Sequence, residues 1–287
     1  MATLREIKQR ITGVKKTQQI TRALKMVAAV KFRRAQQSIL QARPYAHRLS
    51  DIMGHVASDV DRNLHPLLAV REPKRIGYVI FTADQGLCGS FNNNIIRRAE
   101  KEFAKFADKD LNLILVGKKG RDYFSRRNYQ IIGSYVKFFK DLSFKKAVDI
   151  GRLIIDLYIA NKIDRIDLVY NQFKSAIRQE VTVEPLLPLI PSLPDEKIKD
   201  VDFIFEPDPI KILDTLCPRH INVKIWRVLL ETFASEMGAR MTAMEYATEN
   251  ANNLINDLTM EYNKVRQGKI TAEILEIVSG SEALRAV

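Results

Sequence analysis

The stretch TADQGLCGSFNNN, Thr82 to Asn94, follows a strand-like run and opens a helix-like one. That is where a doubly wound α/β fold holds the phosphates of a nucleotide. Its glycines, Gly86 and Gly89, have neither the G-x-G-x-x-G spacing nor the G-K-[ST] ending of a phosphate loop, and a tight turn alone accounts for them. Cys88, set between them, could serve as a thiol nucleophile, but no histidine stands in a local signature that would activate it. The histidines are His47, His55, His65 and His220. His47 and His55 could share a helix face, yet no carboxylate or cysteine stands at ligand spacing with both. No paired carboxylates and no Ser-His-Asp order stand out. The residues point to no catalytic centre, no cofactor and no metal.

The elements that would position such groups fall into three segments. From Leu4, alternate steps of three and four give Ile7, Ile11, Val14, Gln18, Thr21, Lys25, Ala28, Phe32, Ala35, Ile39, Ala42, Ala46, Leu49, Met53 and Val56. This heptad seam predicts one long helix over residues 1–60, apolar except at Gln18, Thr21 and Lys25. Pro44 predicts a kink or a local break. Residues 209–287 are its natural mate. They continue as helix formers after Pro218, with small residues at Ser235, Ala239, Ala243, Ala247 and Ala251 that let two helix axes approach closely. Neither helix has another core for its stripe, so the two ends of the chain should form an antiparallel coiled coil.

Residues 74–206 alternate strand-like and helix-like patterns: RIGYVIFTAD, LNLILVG, RIDLVYNQF, EVTVEPLLPL and VDFIFEP as strands, with two amphipathic helices beginning at Ser90 and Ser143. LPLIPSLPDEKIKD reads as a proline-punctuated loop. Alternation of this kind implies a parallel or mostly parallel sheet covered by helices. The expected architecture is a Rossmann-like α/β domain inserted between the halves of a helical hairpin.

Composition limits the partners. No apolar run is long enough to cross a bilayer, and the N-terminus lacks a secretory signal, so a cytoplasmic location is expected. Cys88 and Cys217 lie far apart and read as buried small residues rather than a disulfide or zinc site. Of the net charge of +12, residues 1–48 carry twelve cations against one acid, Glu6. Such an arm attracts nucleic acid, an anionic membrane surface or an acidic protein. A nucleic-acid-binding coiled-coil arm is thus one reading, weakened because Phe32 and Tyr45 are the only aromatics there.

The C-terminal ITAEILEIVSGSEAL resembles the terminal signature of the gamma subunit family of F-type ATP synthases, with Ile270, Thr271, Glu273, Glu276, Gly280 and Ser281 at the pattern's positions. IKQRITGVKKTQQITRALKMVAAVKFRRAQ resembles the family's opening helix and TADQGLCGSFN its central motif, where Ala83 and Gln85 replace a common Ser and basic residue. The cysteine-bearing insertion of the chloroplast branch is absent, so thiol regulation is not expected. The resemblance implies a bacterial-type rotor shaft that couples rotation of a c-subunit ring, driven by protons or sodium, to ATP synthesis or hydrolysis on beta subunits. The chain itself would be non-catalytic. Its implied partners are the alpha and beta subunits, epsilon and the c ring, with no nucleic acid and with membrane contact only through the complex. Its implied place is peripheral, at the cytoplasmic face of the inner membrane.

By the same resemblance, Arg22, Lys25, Met26, Arg33 and Arg34 would meet the beta subunits' acidic lever loops, and Arg266, Gln267 and Thr271 their catch region. Phe203, Phe205 and Glu206 would lie on the c-ring and epsilon side, and Leu275 and Val278 would turn within an apolar sleeve. If the hairpin's register sets Leu4 near residue 265, the polar layers face residues 244–251, including Glu245, Glu249 and Asn250. They would then fix register. The other reading is that they are exposed where the hairpin splays.

Overall fold

A one-faced stripe needs a start signal and a mate, and the N-terminal run has both. In the computed structural model, which describes residues 3–58, 60–61, 64–175, 179–190, 206 and 208–285, helix α1 spans Leu4–Ser58. It opens on a reciprocal cap: the Thr3 amide donates to Glu6 Oε2 at 2.9 Å, and the Glu6 amide to Thr3 Oγ1 at 3.3 Å. Every seam position from Leu4 to Val56 is buried or half-buried, while most positions between them are exposed. Pro44 lies inside the unbroken helix, so the expected break does not occur. Its ring is exposed, and solvent can take the carbonyl that loses its amide partner.

Helix α5 spans Pro209–Arg285. Asp208 Oδ1 accepts the Ile210 amide at 2.8 Å, and Pro209 sits at the first helical position, where a missing N–H costs nothing. The chain divides into two compact units, Met1–Val27 with Met241–Val287, and Ala28–Arg240. The division falls inside the two long helices, not near residues 60, 74 and 209 where their patterns begin and end.

The unit Ala28–Arg240 is built on β1 (Arg75–Phe81), β2 (Asp110–Val116), β3 (Gln130–Tyr135), β4 (Arg165–Phe173) and β5 (Gln179–Leu187), with α2 (Phe91–Phe103), α3 (Lys118–Phe124) and α4 (Phe144–Ile159). The sheet order is β3-β2-β1-β4-β5. The β1–β2, β1–β4 and β2–β3 pairs are parallel, and β5 joins antiparallel. Strand side chains alternate between two cores, as period two requires. Val79, Phe81, Ile114 and Leu168 face Ile150 and Ile154 of α4, Met53 of α1 and Ile221 and Ile225 of α5. Ile76, Tyr78, Ile80 and Leu113 face Phe91, Ile95 and Phe103 of α2. Gly151 of α4 permits a close approach, since a Cβ there would lie 2.0 Å from Asn222 Oδ1 of α5. Strand β3 and helix α3 have no counterpart in the sequence reading. Of the expected strand VDFIFEP only Glu206 is described, exposed and in a bend; Phe203 and Phe205 lie outside the described residues.

The unit Met1–Val27 with Met241–Val287 is the paired tip of the helices. On the α5 side Met244, Thr248, Ala251, Ile255, Leu258, Tyr262 and Val265 are buried or half-buried at alternate steps of four and three. Knob positions here therefore follow a heptad, and of the expected four-residue row only Ala251 falls on it. From Arg266 to Ser281 every residue is exposed.

Candidate functional site

Two places could carry function: the C-terminal edge of the sheet and the seam with its flanking cations. With strand order 3-2-1-4, the ligand crevice of a doubly wound sheet lies beyond the ends of β1 and β4. Here α5 fills it. Ser235 Oγ donates to the Asn171 carbonyl of β4 at 3.2 Å. Arg240 Nη2 reaches the Gln85 and Gly86 carbonyls after β1, at 3.5 and 3.2 Å. The same guanidinium pairs with Glu236 at 2.7 Å, the two side chains being only 10% and 4% exposed. Burial pushes the Glu236 carboxyl up, against the pull of Arg240.

The amides that would cradle a phosphate are taken as well. Asp84 accepts from the backbone N–H groups of Lys118, Lys137 and Phe139 at 3.0, 2.9 and 3.4 Å. Thr82 Oγ1 accepts from the Gly120 amide at 2.8 Å. A side-chain carboxylate thus occupies the anion position that the chain's own amides create. Gly117 closes this corner with φ at 100°, where a Cβ would meet the Thr82 carbonyl at 2.0 Å. The turn is held by packing rather than shaped for a nucleotide.

Cys88 is 1% exposed, and burial, followed by the nearby Glu236, pushes its thiol up. Asn92 locks the turn, donating from Nδ2 to Cys88 Sγ at 3.2 Å and accepting the Ala83 amide at 2.9 Å. Burial also pushes Cys217 up to about 12. Both thiols should therefore resist iodoacetamide at neutral pH in the native chain and react fully in denaturant. Mass spectrometry of the two digests reads the difference; rapid native labelling of Cys88 would contradict the packed-turn reading.

The seam's polar layers meet partners of their own kind. Gln18 donates to Asn252, Thr21 and Thr248 hydroxyls lie 2.8 Å apart, and Lys25 Nζ pairs with Glu245 at 2.5 Å. Partner numbers fall as α1 rises, so the pairing is antiparallel, and carried along the seam it sets Leu4 beside Val265. Thr21 is 8% exposed, so the helices do not splay at this layer. Glu245 faces as expected and Glu249 lines the same groove, but the hydrogen bonds to Gln18 and Thr21 come from Asn252 and Thr248, and Asn250 is exposed. The hydroxyls form a short chain: Thr248 donates to the Met244 carbonyl at 2.7 Å, and Thr21 is 3.0 Å from the Gln18 carbonyl. Two protons serve three contacts, so one is shared.

The outward residues are single-helix surface. Arg22, Arg33, Arg34, Arg266, Gln267 and Thr271 are exposed, as are Met26, Leu275 and Val278. Lys25 differs from them, because its ammonium is committed to Glu245. The Thr271 hydroxyl donates back to the Gln267 carbonyl at 3.0 Å. Asp84, Glu236 and Arg240 have no counterpart among the site residues expected from the sequence. The charges of FASEMGARM, four apart within a run of small and apolar residues, were the available signal.

A family profile described as ATP synthase matches residues 3–284. The ATP synthase gamma chain of Prosthecochloris aestuarii is 45% identical over 291 residues, covering 99% of each chain. The chain belongs to the ATP synthase gamma chain family. That of Desulforamulus reducens is 46% identical over 287 residues, covering 99% of this chain and 100% of the relative. Among solved structures, the central stalk and c-ring structure of the Tetrahymena thermophila mitochondrial ATP synthase contains a chain that matches with a TM-score of 0.62 at 26% identity. The match covers 79% of this chain and 99% of that one. Membership accounts for all three sequence motifs at once and makes the chain a subunit of an enzyme complex.

Proposed function

We infer that this chain is the central rotor shaft of an F-type, ion-translocating ATP synthase, coupling c-ring rotation to ATP synthesis and hydrolysis on beta subunits. The observation that carries the reading is the clasped helical tip. Two helices from opposite ends of the chain are matched layer by layer through Gln18–Asn252, Thr21–Thr248 and Lys25–Glu245. A shaft needs such a fixed pairing to deliver a defined angle. The nucleotide crevice of the other unit is filled by the chain's own helix, which supports a non-catalytic role with active sites on other subunits. Alpha, beta, epsilon and c-ring partners follow, with a peripheral location at the cytoplasmic face of a bacterial inner membrane. Among the described residues no helix is long and apolar enough to cross a membrane. The identity of the relatives as gamma chains leaves the nucleic-acid reading without support.

Mixing the full chain with purified alpha and beta subunits should give a stable complex with ATPase activity, holding one copy of the chain, by size exclusion. Elution of a folded chain alone would overturn the assignment.

Within that reading, the exposed guanidiniums of Arg33 and Arg34 meet acidic lever loops. Phe203, Phe205 and Glu206 belong to the c-ring and epsilon side, and Arg266, Gln267 and Thr271 to the beta catch region. Solvated rim charges are worth about 0.2–1 kcal/mol each, so the double variant Arg33→Glu, Arg34→Glu should still assemble. ATP-driven ion pumping should fall by about half or more, read as proton uptake per ATP hydrolysed in membrane vesicles. Unaltered pumping would remove these residues from the torque path.

A further inference from the structure

A cavity of about 450 Å³ lies between α1, α5 and the end of β5 in the unit Ala28–Arg240. Its volume falls in the range of small organic ligands. Ile39 and Met53 from α1 and Val223 and Leu230 from α5 give it an apolar wall, while Arg43, His47 and His220 line the same space.

The charges around it are unequally committed. Glu184 of β5 is saturated: it takes Arg227 at 2.6 Å, Lys224 at 3.1 Å and the Tyr170 hydroxyl at 2.8 Å. Lys224 also donates to the Pro185 carbonyl at 2.7 Å. Glu231 is less fully matched. Its nearest cation, Arg227, is 3.6 Å away, beyond a hydrogen bond, and its buried Oε2 has no partner among the described residues. Burial pushes this carboxyl up, against the pull of Arg227, the Phe173 backbone N–H and Arg43. Burial likewise lowers His220 to about 4, leaving a neutral ring with one N–H to give. On α1, the Arg43 guanidinium is exposed and has no hydrogen-bond partner among the described residues, acting on Glu231 only through space. The cavity therefore offers an apolar wall, two acids and three cations, of which Lys224 and Arg227 are paired with Glu184 while Arg43 has no hydrogen-bond partner among the described residues.

We propose that this cavity is a binding site for a small organic anion, an apolar body carrying one phosphate or carboxylate head, with Arg43, His47 and His220 as the groups that receive the head. Arg43 is suited to it because its planar fork grips oxyanions in two-point fashion. The site is separate from the clasped tip and does not depend on the rotor reading.

The test is calorimetric titration of the full-length chain with phenyl phosphate, inorganic phosphate and phenol at constant ionic strength. A ligand of this size with ordinary efficiency binds with a Kd of about 0.1–1 mM. Phenyl phosphate should bind saturably in that range, inorganic phosphate about tenfold more weakly and phenol not measurably. Arg43→Ala should cost about tenfold in phenyl phosphate affinity. Glu231→Gln should hold or improve it, since the change removes an acid that would repel the anionic head. Absence of saturable binding below about 10 mM, or binding indifferent to both Arg43→Ala and His47→Ala, would overturn the proposal. Arg43-dependent binding to phosphatidylglycerol vesicles without binding of phenyl phosphate would also overturn it, because the ligand would then be a lipid headgroup.

Discussion

Arg240→Ala should lower the stability of the chain by about 3–5 kcal/mol, the usual cost of removing one partner of a buried ion pair. The guanidinium does two things at once. It neutralises Glu236, whose side chain is 4% exposed, and it holds the Gln85 and Gly86 carbonyls that follow β1. Without it the Glu236 carboxylate is left in a buried site with Asp84 adding repulsion and Lys31 opposing it. The pH dependence has a definite sign. An acid whose folded pKa is raised binds more protons folded than unfolded, so stability is retained at low pH and lost as pH rises from its unfolded toward its folded value. The deficit of Arg240→Ala should therefore be smallest near pH 4–5 and largest at neutral pH. Arg240→Ala with Glu236→Gln should recover part of it, since no buried charge remains. Urea unfolding at three pH values reads all of this, and a pH-independent deficit would show that Glu236 is not the cause. In the assembled complex the same substitution frees the turn from α5 and should reduce pumping more than hydrolysis.

The same residues show what the sequence makes legible. The α1 seam could be traced from Leu4 to Val56 because burial against one partner imposes a period that no other constraint disturbs. Strands β1, β2 and β4 were legible because burial on both faces makes continuous apolar runs. QIIGSY was not, since β3 is an edge strand whose residues are half-buried or exposed, and the seven-residue α3 is too short to show a period. Asp84 escaped for a different reason. Nothing local marks a carboxylate whose partners are backbone amides 34 to 55 residues away. The contribution of α5 to the crevice is equally nonlocal: Ser235 lies 64 residues along the chain from the Asn171 carbonyl that it meets. The small-residue row misled in part, because a four-residue spacing describes close helix approach in general, whereas this pair keeps the heptad through Met244, Ala251 and Leu258.

Making the polar seam apolar should stabilise the chain and impair its work. Gln18, Thr21 and Lys25 meet Asn252, Thr248 and Glu245 in three successive layers. A side chain such as Leu contributes about 1.5–3 kcal/mol when fully buried. These layers are part-exposed, so replacing all six residues by Leu or Ala should raise the midpoint of thermal unfolding by a few degrees, about 2 °C per kcal/mol at this chain length. What is lost is discrimination. In the native pair a turn or slip of one helix against the other strands a polar group without its mate, at about 1–3 kcal/mol for each that is buried, and Thr21 is the most deeply buried of them. An apolar seam lacks that barrier, because Leu against Leu is nearly as good one heptad away. Cysteine pairs make the distinction measurable. Val14→Cys with Ile255→Cys should cross-link in the native register, and Val14→Cys with Tyr262→Cys only after a slip of seven residues. The native seam should give the first product alone, and the apolar seam both, with fewer ions pumped per ATP hydrolysed. A smaller perturbation checks the same logic. Lys25→Glu places two carboxylates face to face, and because both positions are well exposed the cost is about 1 kcal/mol; adding Glu245→Lys should restore it. An apolar seam that keeps one cross-link and full coupling would mean that the bases of α1 and α5, packed on the sheet, set the register without help from the polar layers.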